Sequence, residues 1–172
     1  CYNAKITNVN FPSTLYSINS YAFQISTIGT LDLSGLNREL TIGNYAFDGA
    51  TISSLTLPSY VSTLPNSAFR GCTITTFDCQ VTSFSINLDD LPFHDSTITT
   101  LILGSSLLLT TSGTFAGSDI TTVDLTSVRY SYSNNDIFKD AKISAIKFNK
   151  DSTTVFSSLF QNCEITKVDL AQ

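Results

Sequence analysis

The chain has one histidine, His94, and it stands beside Asp95 and Ser96 in the run LPFHDST, residues 91–97. Nucleophile, base and orienting acid are all present in that run. A catalytic triad needs the base within hydrogen-bond reach of the nucleophile and the acid behind the base. Three consecutive residues on a coil do not converge in this way, so His94 is expected to be a surface residue. No phosphate-binding glycine loop, paired catalytic carboxylates or metal-ligand cluster occurs elsewhere. The sequence therefore predicts a non-enzymatic chain with no catalytic residue, no metal and no cofactor.

The four cysteines, Cys1, Cys72, Cys79 and Cys163, contain no CxxC pair and no metal spacing. Cys72 and Cys163 each follow a phenylalanine (Phe69, Phe160) by three residues. After five other phenylalanines the same slot holds Ser26, Ala50, Ser96, Ser118 and Ala141, all small. The slot predicts compact buried side chains, with the cysteines acting as small hydrophobes. A Cys72–Cys79 disulfide within one repeat is the alternative. Cys72 and Cys163 lie four repeats apart, roughly 19 Å at the usual strand spacing, too far to bridge.

What positions these residues is a repeat. From the anchors Phe23, Phe47, Phe69, Phe93, Phe115, Phe138 and Phe160, five residues on stands isoleucine every time: Ile28, Ile52, Ile74, Ile98, Ile120, Ile143 and Ile165. Eight on come Leu31, Leu55, Phe77, Leu101, Val123, Ile146 and Val168, and ten on Leu33, Leu57, Cys79, Leu103, Leu125, Phe148 and Leu170. The period is about 23 residues. Offsets eight and ten share one face of an extended segment, predicting a short strand per repeat, such as 30–33, 54–57 or 122–125. Strands so closely spaced along the chain have no room for long crossover helices and must stack in parallel as a solenoid, with the phenylalanines forming a spine. Gly49, Gly71 and Gly117, each two after an anchor, are expected to turn the chain toward the strand.

A single solenoid domain is expected over 1–172: a partial repeat over 1–14, then seven repeats of 22–24 residues. Repeat four adds an acidic knot of Asp89, Asp90 and Asp95, and the segment before Phe138 is the most degenerate. The chain starts at Cys1 in repeat phase and stops just past a strand, as a piece of a longer protein would; a mature lipoprotein cysteine is the alternative for the start.

Charge narrows the partners. The net charge is -5, which argues against nucleic acid, whose binding rests on clustered Lys and Arg. Arg129, Lys139, Lys142, Lys147, Lys150 and Lys167 make the C-terminal part locally basic. The most apolar run, 101–109, is half the length needed to span a membrane.

Within each predicted strand, residues seven and nine after the anchor point outward. The first row is Thr30, Ser54, Thr76, Thr100, Thr122, Ala145 and Lys167; the second is Asp32, Thr56, Asp78, Ile102, Asp124, Lys147 and Asp169. These rows, Ala145 excepted, are the candidate ligand-binding residues on a concave strand face. Asp32, Asp78 and Asp124 fall in alternate repeats, ~10 Å apart at the strand spacing, too far for two of them to ligate one cation at ~2.3–2.6 Å.

The run IGNYAFDGATISSLTLP, residues 42–58, with its I-x-x-x-A-F-x-G-C/A-x-I-x-x-L-x-L-P pattern, resembles the BspA-like class of leucine-rich repeat proteins. The likeness spans essentially the whole chain. It implies a β-rich leucine-rich repeat solenoid with one parallel sheet and short turns, 3₁₀ segments or loops on the convex side. It also implies an extracellular or cell-surface adhesion module that binds host proteins; the outward Thr and Asp rows suit a protein or a glycan. Neither end carries an evident polar cap, so end-to-end self-association into an architectural assembly is the second expectation.

Overall fold

The computed structural model describes residues 1–57, 61–79, 84–85, 91–104, 106–107, 113–128, 130–131, 136–149 and 159–171. Asp89 and Asp90 of the acidic knot, Arg129 and Lys150 of the basic end, and 132–135 of the degenerate segment lie outside them.

Eight parallel strands form the main sheet. These are β1 (Lys5–Val9), β3 (Thr27–Asp32), β5 (Thr51–Thr56), β7 (Thr73–Cys79), β9 (Thr97–Leu103), β11 (Asp119–Leu125), β13 (Lys142–Asn149) and β14 (Glu164–Ala171), neighbours in that order. The strands between them add two small parallel sheets. One joins β2 (Ser17–Ile18), β4 (Leu40–Ile42), β6 (Val61–Thr63) and β8 (Phe84–Ser85); the other pairs β10 (Ser106–Leu107) with β12 (Tyr130–Ser131). The chain is thus a parallel β-solenoid. The expectation of a single sheet is corrected: the return half of the coil is itself partly strand, because it too stacks on its neighbours, with register shifts on both sides of β6.

The long strands begin about three residues earlier than the apolar alternation suggests. The reason is a corner. In every pairing of the main sheet the residue six after the anchor has no register partner, so that Ile52↔Ile74 is followed by Ser54↔Thr76. The inward–outward alternation is reset at that corner. Ile52 and Leu55, an odd number of residues apart, are therefore both buried, with two outward residues between them.

The core lies between the sheets. From Phe23 through the coil of Phe138, the isoleucine row and the Leu/Phe/Val/Ile row eight after the anchor are fully buried, as is most of the row ten after it; in the last coil Ile165 is half-buried and Val168 and Leu170 are exposed. The anchor phenylalanines stack from Phe23 through Phe160, with centroids 4.8–5.4 Å apart. Each stacked pair offers its faces only to its neighbours, and such ring pairs gain beyond area burial. Phe11 closes the first coil edge-on against Phe23, at 6.1 Å and 77°.

The turn after each anchor is left-handed in all eight coils: Asn3, Ile25, Gly49, Gly71, Asp95, Gly117, Asp140 and Asn162 have φ between 50° and 66°. This turn aims backbone groups along the solenoid axis. The N–H of Phe47 donates to Ala68 O, and that of Gly49 to Arg70 O, both at 2.8 Å. The same pair of bonds links each neighbouring coil from Phe23 to Phe160, which is how a segment with no strand pairing still satisfies its backbone.

Candidate functional site

The two outward rows form as continuous ladders. Thr30, Ser54, Thr76, Thr100, Thr122, Ala145 and Lys167 are consecutive register partners, beginning from Asn8 on β1. Asp32, Thr56, Asp78, Ile102, Asp124, Lys147 and Asp169 form the second ladder. Thr30, Asp32, Lys147 and Lys167 are exposed; the others are half-buried between flanking strands.

Several of the charged residues are occupied locally. Asp32 Oδ1 accepts the Ser34 N–H at 2.9 Å. Asp124 Oδ1 accepts both the N–H and the hydroxyl of Thr126, at 3.0 and 2.6 Å. These are side-chain turns that close the strand end, and the Ser34 bonds hold the Asp32 carboxyl below its ordinary range. Lys167 Nζ pairs with Asp169 Oδ1 at 2.7 Å. Asp78 Oδ1 is buried without a hydrogen-bond partner among the described residues.

A more exposed pair of rows flanks the corner and was missed by alternation alone. Four after the anchor stand Thr27, Thr51, Thr73, Thr97, Asp119, Lys142 and Glu164, and six after it Gly29, Ser53, Thr75, Thr99, Thr121, Ser144 and Thr166; all but Gly29 are exposed. The signal was the recurrent T-I-T/S triplet around each isoleucine. Gly29 interrupts the hydroxyl row because a Cβ there would run into the Thr7 carbonyl of β1.

The outward face begins in a cleft of about 330 Å³ between the ends of β1 and β3, lined by Asn8, Asn10, Phe11, Thr30, Asp32 and Gly35. Elsewhere the polar groups serve the fold. His94 Nδ1 lies 2.9 Å from Asp95 Oδ2, but the Ser96 hydroxyl turns inward and donates to Phe69 O at 2.9 Å. The small slot is therefore more than small. Ser26, Cys72, Ser96, Ser118 and Cys163 all donate from the side chain to a main-chain carbonyl of the preceding coil. The reading of Cys72 as a plain hydrophobe is corrected in that respect. None of the four cysteines is in a disulfide, so the Cys72–Cys79 bridge is not formed. Burial pushes the Cys72 thiol up to about 12 and raises that of Cys163.

On the anchor side, the buried Asp48 carboxylate accepts from Arg70 Nε at 2.7 Å and from Gln24 Nε2 at 2.9 Å. The Arg70 guanidinium lies 5.4 Å over the Tyr45 ring, which stacks on Tyr21. Among the described residues no three His, Cys, Asp or Glu side chains group as metal ligands, and no helix is long and apolar enough to cross a membrane.

A family model described as a BspA type leucine-rich repeat region matches the chain in six copies, over residues 1–87 and 40–167. No curated protein and no solved structure matches it.

Proposed function

Since the chain belongs to the BspA-type leucine-rich repeat family, we propose that it is a non-enzymatic recognition module, acting at the cell surface or outside the cell, that binds a protein or glycan through the outward face of its main sheet. The observation that carries this reading is the in-register face itself. Hydroxyl, carboxylate and ammonium groups repeat at each strand, ~4.8 Å apart, on a backbone whose every neighbour is hydrogen-bonded. Such a scaffold holds many weak polar contacts in fixed positions at little ordering cost, which is where a rigid repeat face gains affinity. Thr56, Thr76, Asp78, Thr100, Ile102 and Thr122 lie at its centre; Thr30, Asp32, Ser54, Asp124, Lys147, Lys167 and Asp169 extend it. The rows of Thr75 and Thr99 widen it across the corner.

Binding to immobilised extracellular-matrix proteins and to a glycan array tests this. Thr76→Lys with Thr100→Lys should abolish any interaction found, while Lys139→Ala on the anchor-side turn should leave it intact. Loss on the anchor-side variant with retention on the sheet variant overturns the assignment.

A second reading rests on one feature of the last coil. Val168 and Leu170 are 57% and 70% exposed, in rows that are buried in the interior coils. A further coil in the same register would cover them, and a second copy of the chain could supply it. Sedimentation from dilute to concentrated solution distinguishes the two. Open-ended growth that Val168→Lys stops makes end-to-end assembly the leading function; a monomer throughout removes it.

A further inference from the structure

The cleft at the start of the sheet is a concave part of the outward face, and most of its polar groups are unpartnered. The side chains of Asn8, Asn10 and Thr30 make no hydrogen bond to another described residue. Asp32 is tied only at its turn to Ser34. Beside them stands the Phe11 ring, half-buried and fixed edge-on against Phe23. The lining therefore offers two carboxamides that both donate and accept, one hydroxyl, one carboxylate and an apolar wall. It contains no cation.

Resting on the reading of the sheet as a binding face, we propose that this cleft is a subsite for one neutral pyranose unit of a glycan. A pyranose carries vicinal hydroxyls, each at once donor and acceptor, around a ring with an apolar C–H face. Carboxamide and carboxylate groups match the hydroxyls, and the Phe11 wall takes the C–H face. The carboxylate selects against sialic and uronic acids, because an anionic sugar would meet the charge of Asp32 with no cation among the lining residues to offset it. A peptide fits less well, since strand addition uses an unpaired edge, and the cleft is lined by residues of both β1 and β3 rather than by the free edge of β1 alone.

The test uses Gly35. A Cβ added there meets nothing within 4 Å, and its φ is not left-handed, so Gly35→Leu places bulk at the rim of the cleft without a Cβ clash or backbone strain. Two-dimensional amide NMR of the whole chain would be titrated with methyl glycosides of glucose, galactose, mannose and N-acetylglucosamine, and with the methyl α-glycoside of N-acetylneuraminic acid as the anionic probe. The expected result is saturable shifts at Asn8, Asn10, Thr30, Asp32 and Gly35 with at least one neutral sugar in the millimolar range, as single-unit contacts give. Gly35→Leu and Asn10→Ala should abolish those shifts while leaving the thermal midpoint unchanged. Shifts that persist in Gly35→Leu, or that the sialic acid glycoside induces equally well, overturn the proposal. Shifts confined to the central rows around Thr76 and Thr100 also overturn the cleft but support the sheet as the binding face. No shift with any sugar overturns the glycan assignment, and the binding-face reading is then judged on the matrix proteins alone.

Discussion

The Cys72 thiol donates a hydrogen bond to the main-chain carbonyl of Phe47, 3.0 Å away in the preceding coil. Ser96 and Ser118 make the same bond to Phe69 and Phe93, each at 2.9 Å. The slot thus selects for small size and for a donor, and the two demands can be separated by mutation. Cys72→Ser should keep the bond and fold with near-native stability. Cys72→Ala removes the donor and should cost about 0.5–1.5 kcal/mol, while Cys72→Val overfills a fully buried site and should cost about 1–3 kcal/mol. Urea denaturation of the three variants gives the order; Ala as stable as Ser would show the bond to contribute nothing.

Burial of the same thiol predicts an alkaline loss of stability. The Cys72 pKa rises from 9.0 to about 12 because ionisation would place a thiolate in the core. The folded chain therefore holds the proton more tightly than the unfolded chain does. Its contribution is fully present below pH 9 and is lost as pH climbs from 9 toward 12. Thermal midpoints across that window should fall less steeply for Cys72→Ala than for the parent. A parallel fall in both would assign the loss to other groups. At pH 8 a thiol reagent should modify exposed Cys1 at once and Cys72 only on unfolding.

The left-handed turn after the anchor supplies a third test. Gly71 has φ +61° and open space where a Cβ would project, so any cost of Gly71→Ala is conformational rather than steric. That cost should be about 1–2 kcal/mol, the penalty for an L-residue in this region. Gly71→Asn should cost less, because asparagine tolerates it; the chain itself uses Asn162 there. Equal losses for Ala and Asn would point to something other than backbone strain.

The apolar spacing made the solenoid legible, since Phe, Ile and Leu recur at offsets that only stacked coils can bury together. Three things were hidden. The odd separation of Ile52 and Leu55 breaks a period-two pattern, so the strand seemed to start after the corner and the exposed Ser53 and Thr75 rows went unseen. The donor in the small slot was masked by Ala50 and Ala141, which share its size but not its chemistry. The turn role of Asp32 and Asp124 did have a signal: each is followed two residues later by Ser34 or Thr126, whereas Asp78 is followed by Gln80. Which of the outward polar residues meet a ligand cannot be written in a repeat pattern, because the pattern records what neighbouring coils need from one another.

Asp48 and Arg70 mark where a charge enters the turn region of the coil. Asp48 is only 8% exposed, and its carboxylate depends on Arg70 Nε, 2.7 Å away, and on the Gln24 amide. The arginine itself is largely in solvent, with 44% of its side chain accessible, so its value lies less in its own pairing than in what its loss would leave behind. Arg70→Ala would strand a nearly buried carboxylate with one neutral partner and should cost about 1–3 kcal/mol. Arg70→Lys keeps the charge but loses the fixed Nε–H geometry and the stacking over Tyr45, so it should recover only part of that loss. Asp48→Asn in the Arg70→Ala background removes the stranded charge and should restore stability toward the parent. A double variant as unstable as Arg70→Ala alone would mean that the arginine contributes through its packing on Tyr45 rather than by satisfying Asp48.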